Sequence, residues 1–164
     1  MKLASGICPV AKLKSLGINV ALGTDSVASN NDLDMISEMR SAAFVSKLST
    51  ANPESLTAFE SIELATQNGA KALGMEHTIG SLEKGKAADF ITINLNEVES
   101  LPIYNPVSQV VYSSSRSQVT DVWVAGKQLM KNRVLTTLDE CELKEKARLW
   151  GEKIKTQTLE PRTR

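Results

Sequence analysis

An α/β fold is predicted by three features of this chain. A helical pattern over residues 9–16 stops at Gly17 and gives way at once to a strand pattern over residues 18–22 with the apolar run 20–22, which is one helix-strand step of an α/β wheel. Two helical stretches with apolar residues at three- and four-residue spacing follow, one over residues 32–48 and one opened by Thr57-Ala58-Phe59-Glu60. From Ile79 onward the period changes from helical to two, first in Ile91, Ile93 and Leu95 and again over residues 119–124.

The first step begins after a loop. Ser5-Gly6 is a turn signal, and Pro9 restricts Cys8 to extended geometry. Pro9 suits the first position of a helix, with Val10, Leu13 and Leu16 on one face and Lys12 and Lys14 outside. Residues 18–22 then read as a buried strand that breaks at Gly23 into the polar loop Thr24-Asp25-Ser26. Ligands of parallel α/β folds sit beyond the carboxyl ends of strands, so Asp25 stands where chemistry is usually placed; in isolation it also reads as a turn cap. Ser26, Asn30 and Asn31 can orient Asp25 or simply tie the loop down.

Asn31 or Asp32 is the expected cap of the next helix, which aligns Ile36, Met39 and Ala43. Asn52-Pro53 ends that unit. Thr57 and Glu60 form a capping box for a helix that aligns Ile62, Ala65, Gly69 and Ala72, with a close contact or bend expected at Gly69. Lys84 and Lys86 lack the glycine-rich loop and helix of a phosphate site. Asn105-Pro106 starts a short helical or irregular stretch, and residues 119–130 read as a β-hairpin turning at Ala125-Gly126-Lys127, with Trp123 as a packing residue. Thr137-Leu138-Asp139-Glu140 is a second capping box, whose helix aligns Leu143, Ala147, Trp150 and Ile154 and pairs Glu142 with Lys146. Residues 156–164 are expected to fray.

Composition excludes several classes of function. Lysine plus arginine (19) and aspartate plus glutamate (19) cancel, so no net field draws nucleic acid or an anionic membrane. Hydrophobic residues at 41% and charged residues at 23% describe a folded globular protein. No apolar run approaches the roughly 18 residues of a membrane span and no signal peptide opens the chain, so the cytoplasm is the expected compartment. Cys8 and Cys141 form no Cys-x-x-Cys motif.

Two ordered motifs carry a resemblance. Gly17-Ile18-Asn19-Val20-Ala21-Leu22-Gly23-Thr24-Asp25 with Ser29-Asn30-Asn31-Asp32, and Ala65-Thr66-Gln67-Asn68-Gly69-Ala70 with Ile79-Gly80-Ser81-Leu82-Glu83-Lys84-Gly85-Lys86-Ala87-Ala88-Asp89, resemble the amidohydrolase superfamily. The match is to the branch holding the methylthioadenosine and S-adenosylhomocysteine deaminases and related chlorohydrolases. The resemblance implies the C-terminal portion of a metal-dependent-hydrolase TIM barrel over residues 1–78. It also implies part of a small β-sandwich domain over 79–136 and a C-terminal helix and tail over 137–164. It assigns Asp25 as metal ligand, substrate contact and catalytic proton carrier, with a divalent metal, expected to be zinc, and a purine nucleoside-type substrate.

A full barrel needs about 250 residues, and the family's histidine ligands have no counterpart here. The single histidine, His77, lies outside those contexts, and Cys8 is the other conceivable ligand. The expectation is therefore the C-terminal fragment of a deaminase, inactive alone and completed by a neighbouring chain, as a homo-oligomer or within the intact gene product. The alternative is a non-catalytic protein-interaction module derived from that fold.

Overall fold

The computed structural model describes residues 3–159. Its elements are mixed α and β. Helix α1 (Val10–Ser15) starts directly after Pro9, which serves as the N-cap and not as the first helical residue. Val10 and Leu13 are half-buried, whereas Leu16, expected on the same face, is exposed beyond the helix end.

The expected strand over residues 18–22 is a correction: among the described residues this segment joins no ladder. It is held by helices instead. Leu22 N–H donates to Leu64 O at 3.0 Å, Asn68 Nδ2 donates to Val20 O at 3.0 Å, and Asn19 Nδ2 donates to Asn68 O at 3.0 Å. A strand is defined by a hydrogen-bonded neighbour, and an apolar run reports burial without reporting whether that neighbour exists.

Helix α2 (Met35–Thr50) is capped by Asp34, not by Asn31 or Asp32; Asp34 Oδ1 accepts from Ile36 N at 2.9 Å and Ser37 N at 3.2 Å. Asp32 is engaged elsewhere, in an ion pair with Arg116. The expected stripe Ile36, Met39 and Ala43 is buried. The helix stops at Ala51, whose left-handed φ of 50° closes the last turn before Asn52-Pro53.

Helix α3 (Ala58–Ala65) has the expected capping box of Thr57 and Glu60. The stripe from Ile62 to Ala72 is not one helix, however, because Thr66 at φ −125°, ψ −87° separates α3 from α4 (Gln67–Ala72). The bend expected at Gly69 thus lies three residues earlier, and a Cβ at Gly69 would meet only Leu64 O at an ordinary 3.9 Å. Ala58, Ser61, Leu64 and Ala70 are the buried residues of these two helices.

A four-stranded antiparallel sheet follows: β1 (Phe90–Ile93), β2 (Val119–Val124), β3 (Lys127–Lys131) and β4 (Val134–Leu135), in that order across the sheet. Ile91 is exposed while Phe90 and Ile93 are half-buried, against the expected alternation. The register shifts between Thr92 and Ile93, and such a bulge inverts which parity of residues faces inward. Phe90 stacks on Trp123 at 4.4 Å between ring centroids, so Trp123 packs as expected. The β2-β3 hairpin turns on Ala125 and Gly126 at φ 49° and 76°, the left-handed pair of a two-residue loop.

Between β1 and β2, helix α5 (Pro106–Tyr112) is capped by Asn105, whose Oδ1 accepts from Ser108 N at 3.0 Å. It packs against α2 and α3, and Ile36, Met39, Ala58 and Val111 form the core, with Leu22 and Ile93 against it. Arg40 reaches from α2 to Val111 O at 3.0 Å and to Ser114 O, satisfying carbonyls at the end of α5.

Helix α6 (Glu140–Leu159) is capped by Asp139, whose Oδ1 accepts from Cys141 N at 2.8 Å and Glu142 N at 3.2 Å; the expected Thr137 box is not used. The helix continues past Thr156 where fraying was expected, and residues 160–164 of that tail lie outside the described residues. Leu143, Trp150 and Ile154, the expected packing seam, are exposed. Among the described residues no helix is long and apolar enough to cross a membrane.

Candidate active site

The loop after residue 22 forms one wall of a cleft of about 550 Å³. Asp25 lines it, together with Val20, Leu22, Gly23 and Thr24 from its own segment. Asp25 is exposed and adopts φ 60°, a left-handed conformation that aspartate tolerates better than most residues. Its Oδ1 accepts the Ser26 backbone N–H at 2.7 Å, which holds the carboxylate against the loop.

The loop is tied together by its own polar side chains. Ser26 Oγ and Ser29 Oγ lie 2.9 Å apart. Asn30 Nδ2 donates to Thr24 O at 2.9 Å and to Glu38 Oε1 at 2.6 Å, bridging the Asp25 loop to the first turns of α2. Ser26 and Asn30 therefore carry the tying-down role considered for them. The Asp32–Arg116 ion pair anchors the far end of the same loop to the segment preceding β2.

The opposite wall belongs to α2 and was not anticipated. Ser37, Glu38, Ser41, Ala42 and Val45 line the cleft, one step around the helix from the buried stripe of Ile36, Met39 and Ala43. Their three- and four-residue spacing was visible in the sequence, although small polar residues at that spacing ordinarily face water.

Of the two other conceivable ligands, one lines the cleft that Asp25 lines and the other does not. Cys8 lines the same cleft and is exposed and unbridged. His77 is exposed in the turn after α4 and is not among the cleft-lining residues. Among the described residues no three histidine, cysteine, aspartate or glutamate side chains gather as a metal site. A zinc centre takes three or more protein ligands, so the donors of this chain do not by themselves fit one.

The model of the amidohydrolase family matches residues 1–129. A 5-methylthioadenosine/S-adenosylhomocysteine deaminase of Teredinibacter turnerae is 51% identical over 154 residues, spanning 94% of this chain and 35% of that protein. A 5'-deoxyadenosine deaminase of Methanosphaera stadtmanae is 45% identical over 140 residues, 85% of this chain and 32% of that one. The crystal structure of an adenosine deaminase from Xanthomonas campestris with bound zinc superposes with a TM-score of 0.92 at 44% identity, covering 94% of this chain and 35% of that one. The chain thus spans about a third of the length of the relatives it matches, in their C-terminal part. A family model that matches residues 1–129, relatives up to 51% identical and a shared fold have one reading: this chain belongs to the amidohydrolase family.

Proposed function

We propose that this chain is the Asp25-bearing third of a metal-dependent aminohydrolase acting on an adenosine-type nucleoside. 5-Methylthioadenosine and S-adenosylhomocysteine are the first substrates to examine. The observation that carries the reading is the placement of Asp25 on the wall of the 550 Å³ cleft, at the end of the first of the two motifs that carry the resemblance. The reaction is hydrolytic: water adds to the ring carbon, and the exocyclic C–N bond breaks to release ammonia. Asp25 takes a proton from the water and gives it to the departing nitrogen, which is general acid-base work for a carboxylate within reach of both.

The remaining metal ligands are supplied by polypeptide beyond this chain's own donors, because Asp25 and Cys8 fall short of a complete set. The protein that results would carry zinc, as the Xanthomonas campestris enzyme does. In this reading residues 1–78 are the closing part of a TIM barrel, 79–136 contribute to a small β-sandwich, and 137–164 are an appended helix and tail. A cytoplasmic location and association with a complementing chain belong to the same proposal.

The test joins the N-terminal part of the Teredinibacter turnerae deaminase, up to its match with this chain, to Met1 and measures ammonia release from methylthioadenosine with zinc present. Turnover by the joined polypeptide is expected, falling about 100-fold or more in Asp25→Asn. The isolated chain is expected to release none. Undiminished activity in Asp25→Asn removes the role given to that residue, and turnover by the isolated chain removes the need for added ligands.

A further inference from the structure

Glu38 reaches from α2 into the Asp25 loop, and the helix it sits on does not account for where its side chain goes. An acidic residue in a first turn suits the positive end of a helix whichever way its side chain points. Glu38 spends Oε1 on Asn30, whose Nδ2 donates to it at 2.6 Å. The same Nδ2 donates to Thr24 O at 2.9 Å. Two acceptors on one amide nitrogen use both of its hydrogens.

The carboxylate is what fixes the direction of the Asn30 amide. An ionised carboxylate only accepts, so it faces the NH2 end of an asparagine and not the carbonyl end. With that end held, Thr24 O keeps its donor. Thr24 O belongs to the rigid peptide plane between Thr24 and Asp25, and rotation of that plane about its bond to the Asp25 Cα is the φ torsion of Asp25. The torsion stands at 60°, a left-handed value that a residue with a Cβ holds only when its surroundings enforce it. Asp25 Oδ1 is in turn committed to the Ser26 N–H at 2.7 Å, so the place of the other carboxylate oxygen follows from the same plane.

We propose that Glu38 is a positioning residue for Asp25, acting through the Asn30 amide on the Thr24 carbonyl and so on the direction of the Asp25 carboxylate. That this carboxylate works on a nucleoside rests on the deaminase reading above; the linkage from Glu38 to Asp25 rests on hydrogen bonds within this chain. Glu38→Gln keeps the shape of the side chain but offers Asn30 either a donor or an acceptor. The amide then turns over in part of the molecules and sets its own oxygen against Thr24 O.

Two measurements test the linkage. In the joined polypeptide with zinc present, Glu38→Gln should lower kcat at least about tenfold while KM stays within about twofold. Placed on top of Asn30→Ala, the same change should cost less than about twofold, because Glu38 acts only through that amide. In the chain by itself, the Ser26 amide should exchange at least about fivefold faster in Glu38→Gln than in the parent. The amide of Ala43, buried in the middle of α2, should keep its protection.

An unchanged kcat in Glu38→Gln overturns the proposal, and so does a full further loss on top of Asn30→Ala, which would make Glu38 act directly. Unchanged exchange at Ser26 also overturns it. Lost protection at Ala43 does the same, by assigning Glu38 to the stability of the helix. A parent polypeptide that releases no ammonia removes the deaminase reading, and exchange at Ser26 then decides the linkage by itself.

Discussion

Asp25 combines two demands in one residue: a carboxylate facing the cleft and a backbone at φ 60°. Alanine in that left-handed region carries a steric penalty that aspartate and asparagine largely escape. Asp25→Ala therefore changes both charge and conformation, whereas Asp25→Asn changes charge alone. In urea unfolding of the isolated chain, Asp25→Ala is expected to lose about 1 kcal/mol. Asp25→Asn should stay within about 0.5 kcal/mol of the parent. Equal losses in both would mean that the carboxylate, and not the turn, stabilises the loop, and the Ser26 N–H contact at 2.7 Å would be the reason. The asparagine variant is accordingly the one to use wherever the chemistry of this position is tested.

The capping box of α3 is a local device that also joins two elements. Glu60 Oε2 accepts the Thr57 N–H at 2.7 Å, while Oε1 pairs with Lys14 of α1. Burial pushes the Glu60 carboxyl up, but the Lys14 ammonium and the Thr57 donors outweigh it and hold the carboxyl below its ordinary 4.5. A carboxyl whose proton binds less readily in the folded state stabilises fully above that ordinary value and loses its contribution as pH falls below it. The stability gap between the parent and Glu60→Gln should be widest near about pH 7 and shrink towards about pH 3, read from urea midpoints. A gap that is constant with pH would place the effect in packing. This box was legible in the sequence because its four residues are contiguous, and the same holds for the stripe of α2 and the Ala125-Gly126 hairpin. What was not legible depends on residues far apart or on backbone state. The bulge at Thr92/Ile93 reversed the facing of β1, and the φ of Thr66 cut one helical stripe in two. Strand β4 was missed because its hairpin turns on Asn132 and Arg133 at φ 45° and 65°, and arginine there is no turn signal. At the site, Asp25 was legible from its loop, whereas the α2 wall with Glu38 required the fold to set it opposite.

On the scale of the whole chain, the exposed apolar side chains predict how the isolated chain behaves. Helix α6 carries Leu143, Leu149, Trp150 and Ile154 exposed to water, and its flanking charges form ion pairs within the helix, such as Glu142–Lys146 and Glu140–Lys144. Those exposed intrahelical pairs contribute only tenths of a kcal/mol each and leave the apolar side uncovered. Exposed apolar area of this kind binds hydrophobic dyes even when secondary structure is intact. The isolated chain should therefore enhance ANS fluorescence at least about twofold more per mole than the joined polypeptide, although the latter is the larger molecule. Its far-ultraviolet dichroism should still report the helices of α2 and α6. Equal dye binding by the two would mean that the added two-thirds covers none of this surface. Weak dye binding by the isolated chain at high concentration, rising on dilution as an oligomer dissociates, would assign the apolar faces to contacts between copies.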